Sequence, residues 1–371
     1  MKLKNLELRH FRNYEKINVN FSDGINVLIG NNAQGKTNLL EAIYVLALAR
    51  SHRTRNNRDL INWKYENAQM KGRVSKAYAD TDLELDLDRS GKRAKVNHIE
   101  QAKLSSYVGQ LNVILFSPED LSIVKGSPSV RRKFMDMEFG QISGQYLYNL
   151  SHYQRILEQR NRYLKQLYYR KAHDRLFLDV LSDQLSAFGA EIIHQRIQLL
   201  AGLEKSARQI HWDISLHKEK LKFRYVTALK DKDLTSTNHI YECLRALYKK
   251  NRNREIKQRT TILGPHRDDI HFIVNGKNVQ TFGSQGQQRT TTLSVKLAEI
   301  DLMKSETNEA PILLLDDVLS ELDGNRQTHL LKAIQDKVQT FLTTTSLSGI
   351  TKKLIDNPKV FKISNGKITI D

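Results

Sequence analysis

The sequence has little cysteine, no long apolar run and too few acidic residues to balance its basic ones. Its 371 residues include one cysteine, Cys243, so an internal disulfide is excluded. Without other cysteines Cys243 is also a poor metal ligand, and we expect it to pack as a small apolar side chain. No stretch approaches the roughly 18 uncharged apolar residues of a membrane span, and residues 1–16 lack the apolar core of a signal peptide. We therefore expect a cytoplasmic location.

The shortage of acidic residues leaves a large positive charge. Asp and Glu total 41 whereas Lys and Arg total 59, which gives a net charge of +18 at pH 7. A charge of this size attracts polyanions and makes their binding depend steeply on salt, so nucleic acid is the leading candidate partner. A basic surface that contacts only water, or the general basicity of ribosomal proteins, is the alternative.

Several basic runs are candidate DNA contacts. No helix-turn-helix or zinc-finger pattern occurs, so we expect contacts mostly to phosphate and independent of base sequence. Any single run is better explained as a solvated helix face, and it is their sum that favours DNA. The candidate DNA-binding residues are Arg131, Arg132, Lys133, Lys249, Lys250 and Arg252.

Residues 28–43, LIGNNAQGKTNLLEAI, match the phosphate-binding pattern G-x-x-x-x-G-K-[ST]. In this pattern backbone N–H groups surround phosphates, the lysine binds the outer phosphates and the hydroxyl binds magnesium. The preceding run INVLI predicts a buried strand and the following segment predicts a deeply packed helix, whereas an ordinary glycine turn is the alternative. The sequence predicts a site for a nucleotide and Mg²⁺ at Gly30, Asn31, Asn32, Ala33, Gln34, Gly35, Lys36 and Thr37.

Asp316 and Asp317 follow the continuous apolar run PILLL. Such a run suits a central parallel strand, which would deliver both carboxylates to its C-terminal edge. We expect Asp316 to bind the magnesium ion and Asp317 to polarise the attacking water, with Lys36 as a further catalytic residue. A strand that merely ends at a turn is the alternative.

Two weaker patterns resemble ABC-type ATPases. GSQGQQRT places Ser284, Gly286 and Gln287 at the spacing of the S-x-G-Q signature, and LSELD, which ends at Asp323, resembles the D-loop. Each alone is typical of a loop, but the order P-loop, signature, carboxylates and D-loop is specific. An ABC signature implies that Ser284 is a catalytic residue that reaches the γ-phosphate bound by another protomer, and therefore an ATP-dependent homodimer.

Eight segments resemble the RecF family of bacterial recombination mediators and together span nearly the whole chain. They are LRHFRNY, GNNAQGKTNLLEAI, SHRT, FSPEDL, VKGSPSVRRKFMD, GPHRDD, GSQGQQRT and LLLDDVLSELD. The resemblance implies an SMC-like ATPase head, without the long coiled-coil arm, that uses ATP and Mg²⁺. It also implies a protein that clamps DNA at junctions of single and double strands, acts with RecO and RecR to load recombinase, and supports SOS induction.

The resemblance also assigns residues and exposes departures. Related heads use an early arginine beside the phosphates, which implies nucleotide contacts for Arg12 and Asn13, although a water-exposed turn arginine is the alternative. Asp317 stands where many ABC ATPases have glutamate, and no histidine follows TFLTTT, so Thr344 is the candidate switch residue. Aspartate is one methylene shorter, and a displacement of about 1 Å can cost about a hundredfold in rate. We expect a weak, DNA-stimulated ATPase whose hydrolysis step releases the clamp.

The expected fold class is α/β, an ABC-type P-loop ATPase head with a helical second lobe. The predicted boundaries are 1–120 for the ATPase lobe with the P-loop, 121–304 for a mainly helical lobe with the signature, and 305–371 for the rest of the ATPase lobe. Because the apolar stripe of the middle segment does not sustain heptads, we expect a short antiparallel helix pair. His266, Asp268 and Asp269 are expected to cap and bridge loops rather than bind metal.

Two other function classes fit the sequence less well. An ABC subunit that energises a membrane transporter would explain the ATP patterns, but not the charge of +18 or the basic helical lobe. A P-loop kinase or small GTPase is disfavoured by the S-x-G-Q and D-loop segments and by the lack of a guanine-reading N-K-x-D. The Q-loop has no firm position, and residues 117–120 are the candidate.

Overall fold

A computed structural model describes residues 1–89, 91–335, 337–345 and 357–370. The chain divides into two compact units. Unit 1 comprises Met1–Leu121, Gln209–Lys218 and Thr292–Asp371, and unit 2 comprises Ser122–Arg208 and Glu219–Thr291. The predicted boundaries at 120 and 304 remain a prediction.

The strands are numbered in chain order. They are β1 (Lys2–Phe11), β2 (Tyr14–Asn20), β3 (Ile25–Ile29), β4 (Ala68–Ser75), β5 (Thr81–Leu87), β6 (Lys92–Val96), β7 (Ile99–Glu100), β8 (Val113–Phe116), β9 (Leu221–Val226), β10 (Asp269–Val274), β11 (Lys277–Asn278), β12 (Ile312–Leu315), β13 (Thr340–Thr344), β14 (Lys359–Ser364) and β15 (Lys367–Ile370).

The helices are numbered in the same way. They are α1 (Lys36–Leu48), α2 (Leu104–Tyr107), α3 (Leu121–Lys125), α4 (Pro128–Ile142), α5 (Gly144–Tyr168), α6 (Arg175–Ile214), α7 (Thr237–Gln258), α8 (Val279–Phe282), α9 (Gln285–Thr307) and α10 (Gly324–Ile334). Among the residues described, none of these helices is both long enough and apolar enough to cross a bilayer.

The described residues of unit 1 form two six-stranded sheets. One is antiparallel, with the strand order β2-β1-β4-β5-β6-β7. The other has the order β15-β14-β3-β13-β12-β8, and all its neighbouring strands are parallel except β14 and β15. The predicted buried strands INVLI, PILLL and TFLTT correspond to β3, β12 and β13, so these predictions are confirmed. Strand β12 lies between β13 and β8, and its four apolar, buried residues are typical of a central parallel strand that is covered on both faces.

Helix α1 packs between the two sheets of unit 1, which accounts for its mostly apolar sequence. It contacts β1, β4 and β5 of one sheet and β8 and β13 of the other. A helix covered on both sides has no solvent face, so ten of its thirteen residues are buried and the apolar residues occupy nearly every face. The P-loop is therefore attached to a helix that is held rigidly within unit 1.

Unit 2 is mainly helical, as expected, but it also contains a sheet that was not predicted. Helix α5 spans 25 residues, residues 175–208 of the 40-residue helix α6 belong to this unit, and the antiparallel sheet has the order β11-β10-β9. The rings of Phe223 on β9 and Phe272 on β10 pack edge to face at 5.1 Å. The charged residues that alternate with apolar ones in LKFRYV resemble a basic run, and this hid the strand.

The segment GPHRDD forms part of a buried polar network in unit 2. His266 Nδ1 lies 2.6 Å from the Tyr153 hydroxyl, and burial lowers the pKa of His266 to about 4, so its ring is neutral. Asp268 accepts a hydrogen bond from the Tyr225 hydroxyl, and Asp269 accepts two from Arg131. These side chains bridge elements of the unit, which agrees with the expectation that they are structural.

Candidate nucleotide-binding site

The P-loop connects the end of β3 to the start of α1 in unit 1. Gly35 caps the helix with φ of 119°, a left-handed conformation that favours glycine, and a Cβ there would lie 2.7 Å from Asn13 Nδ2. A Cβ on Gly30 would lie 2.3 Å from the carbonyl oxygen of Ile363, a steric clash that excludes any side chain at this position. The two glycines of the pattern are thus required by close backbone packing before any phosphate is considered.

Two hairpin turns hold the loop in place. Asn13 Nδ2, in the turn after β1, donates to the carbonyl of Gln34 at 3.1 Å, and the buried Tyr14 hydroxyl donates to the carbonyl of Gly35 at 2.9 Å. In the turn between β14 and β15, the backbone N–H of Asn365 donates to Gln34 Oε1 at 2.7 Å. Asn13 therefore lies at the P-loop, and its contact with a nucleotide stays a prediction, whereas Tyr14 and Asn365 had no signal in the sequence that marked them.

Lys36 folds back over the loop that precedes it. Its Nζ donates to the carbonyl oxygens of Gly30 at 2.5 Å and Asn31 at 3.0 Å. Burial lowers the pKa of Lys36, while Asp317 and Asp316 act in the opposite direction. The ammonium group is thus desolvated and held at the mouth of the loop, where the exposed residues 31–33 face solvent. A phosphate group could replace the two carbonyls as its partner.

The first helical turn meets the end of β12. Thr37 Oγ1 donates to Asp316 Oδ1 at 3.0 Å across 279 positions of sequence, and Thr343 Oγ1 donates to the same oxygen at 3.0 Å. A hydroxyl and a carboxylate oxygen are the hard ligands that Mg²⁺ takes, so the two residues predicted to bind it fit the ion. Thr343 was missed by the sequence analysis, because a threonine on a buried strand usually only packs.

Asp317 has an unusual backbone conformation. Its φ is 54°, in the left-handed region, and its N–H donates to Thr343 Oγ1 at 2.8 Å. An aspartate held in this region costs about 1–3 kcal/mol and persists only where its surroundings determine it, which is common at active sites. The turn away from the strand direction is thus fixed at the residue predicted to polarise water.

A buried ion-pair cluster underlies the loop. The guanidinium of Arg12 donates to both oxygens of Glu41 on α1, at 2.9 and 2.8 Å, and the Glu41 side chain is fully buried. Burial raises the pKa of Glu41, but the hydrogen bonds from Arg12 and Ser51 outweigh it and hold the pKa below its ordinary value. Arg53 completes the cluster, with its Nη1 3.2 Å from Glu41 Oε2. Arg12 is therefore a partly buried partner of the buried Glu41 rather than a freely exposed turn arginine, and its contact with phosphate stays a prediction.

Replacing Arg12 by alanine should lower the free energy of unfolding by about 3 kcal/mol at pH 7, because it leaves the buried carboxylate of Glu41 with weaker compensation. The depressed pKa of Glu41 means that this contribution is present above the ordinary carboxyl pKa and is lost as pH falls through the folded-state value. Urea denaturation without nucleotide measures the difference. The control is Arg9→Ala, a half-exposed partner of Glu7, which should cost less than about 1 kcal/mol; equal losses would contradict a structural role for Arg12.

His52 is a further residue of this region to which the sequence analysis gave no role. Its ring packs edge-on against Tyr44 at 5.1 Å, and its Nδ1 is buried with no hydrogen-bond partner among the residues described. Burial lowers the pKa of His52, while Glu41 and Asp316 raise it. The carboxylates of Glu41 and Asp316 thus act electrostatically on the imidazole.

The remaining predicted residues of unit 1 have clear structural positions. Asp323 caps α10, where its side chain accepts a hydrogen bond from the backbone of Arg326. Thr344 is the half-buried last residue of β13. Ser117 and Asp120 close a turn after β8, and burial raises the pKa of Asp120 to about 6. None of these contacts assigns a nucleotide role, so the D-loop, switch and Q-loop roles stay predictions.

The signature segment lies in unit 2 at the start of α9. The backbone N–H of Ser284 donates to Gln287 Oε1 at 2.9 Å, and the backbone N–H of Gln287 donates to Ser284 Oγ at 3.2 Å. This reciprocal cap leaves Ser284 exposed at the N-terminus of a 23-residue helix, with Gly286 in its first turn. The positive end of a helix dipole and an exposed hydroxyl suit an anion.

The candidate DNA-binding residues differ sharply in their availability for phosphate. Arg131 is 2% exposed, and its guanidinium forms two hydrogen bonds with Asp269 at 2.6 and 2.8 Å. Arg252 is paired with Asp179 at 2.5 Å. A buried, already paired guanidinium cannot turn to DNA without losing its partner, so the prediction that Arg131 contacts DNA is corrected to a structural role.

Three of the candidates are exposed lysines, namely Lys133 on α4 and Lys249 and Lys250 on α7. Arg132 is half-buried and donates to the carbonyl of Asp268 at 2.9 Å. The sequence could not separate these residues from their paired neighbours, because burial of an arginine depends on an acid that is far away in the chain.

Known proteins are similar to this chain in sequence. Residues 2–369 match the family model described as RecF/RecN/SMC N terminal domain. The chain is 63% identical over 366 residues to the DNA replication and repair protein RecF of Pediococcus pentosaceus, an alignment that covers 99% of this chain and 98% of that protein.

Solved structures agree with the family model. A structure of the recombination mediator protein RecF-ATP in the RecFOR pathway matches with a TM-score of 0.92 at 34% identity, over 100% of this chain and 97% of that chain. An SMC head bound to the C-winged helix domain of ScpA matches with a TM-score of 0.57 at 15% identity, over 100% and 97% of the two chains, and shows likeness of fold alone. The predicted α/β ATPase head fold is confirmed.

Proposed function

Since this chain belongs to the RecF family of SMC-like ATPases, which act in DNA replication and repair, we propose that it is an ATP-switched DNA clamp. ATP-bound dimers would bind DNA where single strands meet double strands, and slow hydrolysis would release them. Acting with RecO and RecR, the bound protein would help to load recombinase and so support SOS induction. The observation that supports this best is the alignment of Lys36, Thr37 and Asp316 in one P-loop site.

The proposed reaction is the hydrolysis of ATP to ADP and phosphate. Lys36 gives up its two loop carbonyls and donates to the outer phosphates, and the backbone N–H groups of residues 31–35 surround the phosphate chain. Thr37 and Asp316 would hold Mg²⁺, which when bound neutralises phosphate charge. Asp317 accepts a hydrogen bond from the attacking water and orients it. Its short side chain supports a slow reaction, which suits a clamp better than a motor.

The second half of each site would come from a second copy of the chain. Ser284 is exposed at a helix N-terminus, and such a group is suited to bind the γ-phosphate held by the Lys36 of the other protomer. A two-fold dimer contains two such composite sites. ATP would then act as the contact that closes the dimer around DNA.

Mixing two inactive variants tests action in trans. Lys36→Ala should be inactive because it does not retain ATP, and Ser284→Arg because a bulky cation blocks closure. Their heterodimers have one doubly damaged site and one intact site, so about half of the parental hydrolysis per heterodimer should return if one site suffices. Cross-linking for ATP-dependent dimers separates loss of closure from loss of chemistry; full dimerisation and hydrolysis by Ser284→Arg alone would exclude the signature role.

Phosphate contacts by Lys249 and Lys250 are the proposed basis of DNA binding. Replacing both by glutamine should make the slope of log K against log salt shallower by about 1.8, since each neutralised phosphate contributes about 0.9. Fluorescence anisotropy of labelled gapped DNA at several salt concentrations, with and without ATP, measures this slope. ATP should strengthen binding, and scrambling the base sequence should matter little.

The matched control changes the same charge elsewhere. Lys16 and Lys367 are exposed lysines on the sheets of unit 1, and their double glutamine variant should retain the parental slope. If both variants change the slope equally, only the net charge matters; an unchanged slope for the Lys249 and Lys250 variant makes that face of α7 a solvated surface. A protein that does not bind DNA at any salt concentration would contradict the proposed function itself.

A further inference from the structure

Three side chains that could ligate a metal lie together in unit 2, two on the first turns of α7 and one on the 3-10 turn that precedes it. His239 Nε2 lies 3.8 Å from Asp233 Oδ1, and Cys243 Sγ lies 3.9 Å from the same Nε2. The three ligand atoms all lie within 4.8 Å of one another. Asp233 comes from the 3-10 turn over Asp231–Asp233, whereas the other two residues lie on the helix. The cluster lies outside the nucleotide site and shares no residue with it.

The local structure positions each donor independently of any ion. His239 and Cys243 are four residues apart on a helix, which places their side chains on one face. Ser236 fixes the start of that helix by accepting a hydrogen bond from the His239 backbone at 3.2 Å. Asp233 Oδ2 accepts from the backbone N–H of Lys230 at 3.2 Å, and its other oxygen faces the imidazole. The 3-10 turn and the start of α7 are therefore both held by backbone hydrogen bonds at the point where the three candidate metal ligands meet.

The donor set is specific in its chemistry. Imidazole nitrogen, thiolate sulfur and carboxylate oxygen are the ligands of four-coordinate zinc, at metal distances of about 2.0–2.3 Å. In a tetrahedral site these bond lengths require ligand atoms separated by about 3.3–3.8 Å. The observed separations of 3.8 and 3.9 Å lie at the upper edge of that range, and the third pair, Asp233 and Cys243, lies within 4.8 Å and needs to close by at most about 1 Å. Small side-chain rotations supply such a change.

We propose that Asp233, His239 and Cys243 form a binding site for a divalent transition metal ion, Zn²⁺ by its donor set. The fourth position would be taken by water, because the His239 side chain is 49% exposed. Binding replaces the thiol proton of Cys243, which passes to solvent, and forms a metal–sulfur bond with no change of oxidation state. The bound ion would tie the 3-10 turn to the start of α7.

The surrounding charges favour a cation. Burial and the carboxylates of Asp233 and Glu242 raise the pKa of the Cys243 thiol, and Lys232 acts in the opposite direction. These same carboxylates attract a divalent ion, which in turn stabilises the thiolate. Since a proton is released on binding, the metal affinity should rise as pH increases.

The single cysteine makes the test specific to this site. The full-length chain is titrated with Co²⁺, used as the spectroscopic probe, and the thiolate-to-cobalt absorption is followed; any such band must come from Cys243. In a second assay Zn²⁺ should slow the reaction of Cys243 with a thiol reagent by about tenfold or more, whereas Mg²⁺ should not. Neither assay depends on ATP hydrolysis or DNA binding, so failure here leaves the proposed function intact.

Two ligand variants and one control complete the experiment. His239→Ala and Asp233→Ala should each weaken Co²⁺ binding by about tenfold or more. His217→Ala removes a mostly exposed histidine that is outside the cluster, and should retain the parental affinity. Absence of the absorption band in the parental chain overturns the proposal, and so does a band of undiminished affinity in His239→Ala, because it would show a cysteine that binds metal without the cluster.

Discussion

Replacing Lys36 by alanine should lower the affinity for ATP by about 10²–10³-fold. Hydrogen bonds to a charged group contribute about 1.5–3 kcal/mol each, and the ammonium group has two loop carbonyls that outer phosphates would replace. Losing two such bonds corresponds to about 3–6 kcal/mol, and the lower part of that range, about 3–4 kcal/mol, gives the expected change in affinity, since each 1.4 kcal/mol is a factor of about ten. Titration with a fluorescent ATP analogue, with Mg²⁺ present, measures the change.

The control for this variant is Lys16→Ala, which removes an exposed lysine at the surface of β2. It should leave ATP affinity unchanged. Thermal unfolding of both variants without nucleotide checks the fold, because the Lys36 side chain also bonds the loop that it closes. If ATP affinity stays at the parental value in a folded Lys36→Ala protein, the P-loop assignment is wrong.

Replacing Asp317 by asparagine should slow ATP hydrolysis by at least about a hundredfold while ATP affinity stays within a few-fold of the parental value. Asparagine tolerates the left-handed backbone as well as aspartate does, and the backbone N–H can keep its bond to Thr343. The substitution therefore removes the negative charge that would polarise water and little else. Dimers formed with ATP should persist as a result.

Single-turnover hydrolysis, with protein in excess over ATP, measures the chemical step separately from product release. The matched control is Asp316→Asn, which alters the carboxylate that Thr37 contacts. This variant should lower the affinity for Mg²⁺ as well as the rate of hydrolysis. Hydrolysis by Asp317→Asn at the parental rate would mean that another group orients the water. His52, whose pKa is lowered by burial and raised less by the Asp316 carboxylate, would then be the first residue to test.

The parts of the site that are contiguous in sequence were predicted well. The spacing of Gly30, Gly35, Lys36 and Thr37 predicted a strand, a loop and a helix, and β3 and α1 occupy those positions. The apolar run before Asp316 likewise predicted β12, a buried parallel strand. In each case the pattern lies within one short segment. A glycine loop needs its residue types at fixed spacing, and a strand buried on both faces needs a continuous apolar run, so a few residues suffice to predict either.

The parts that depend on distant contacts were not predicted. Arg131 and Lys133 are almost adjacent in one basic run, yet the first is buried against Asp269 and the second is exposed. The sheet of β9, β10 and β11 was missed because β9 alternates apolar with charged residues and pairs with β10 across more than 40 positions. Whether a charged residue faces solvent or a buried partner is decided by the fold around it.

The sequence by itself determined that this protein has a phosphate-binding loop, because such a loop requires its glycines, lysine and threonine within eight consecutive residues. It could not determine the meeting of Thr37 with Asp316 across 279 positions, or the burial of Glu41 beneath Arg12. Cys243 is a different case: His239 lies four residues away on the same helix, so their proximity is local, and only the conformation of the preceding turn places Asp233 beside them. Side-chain donors act over about 3 Å, and only tertiary packing brings residues from separate segments within that range.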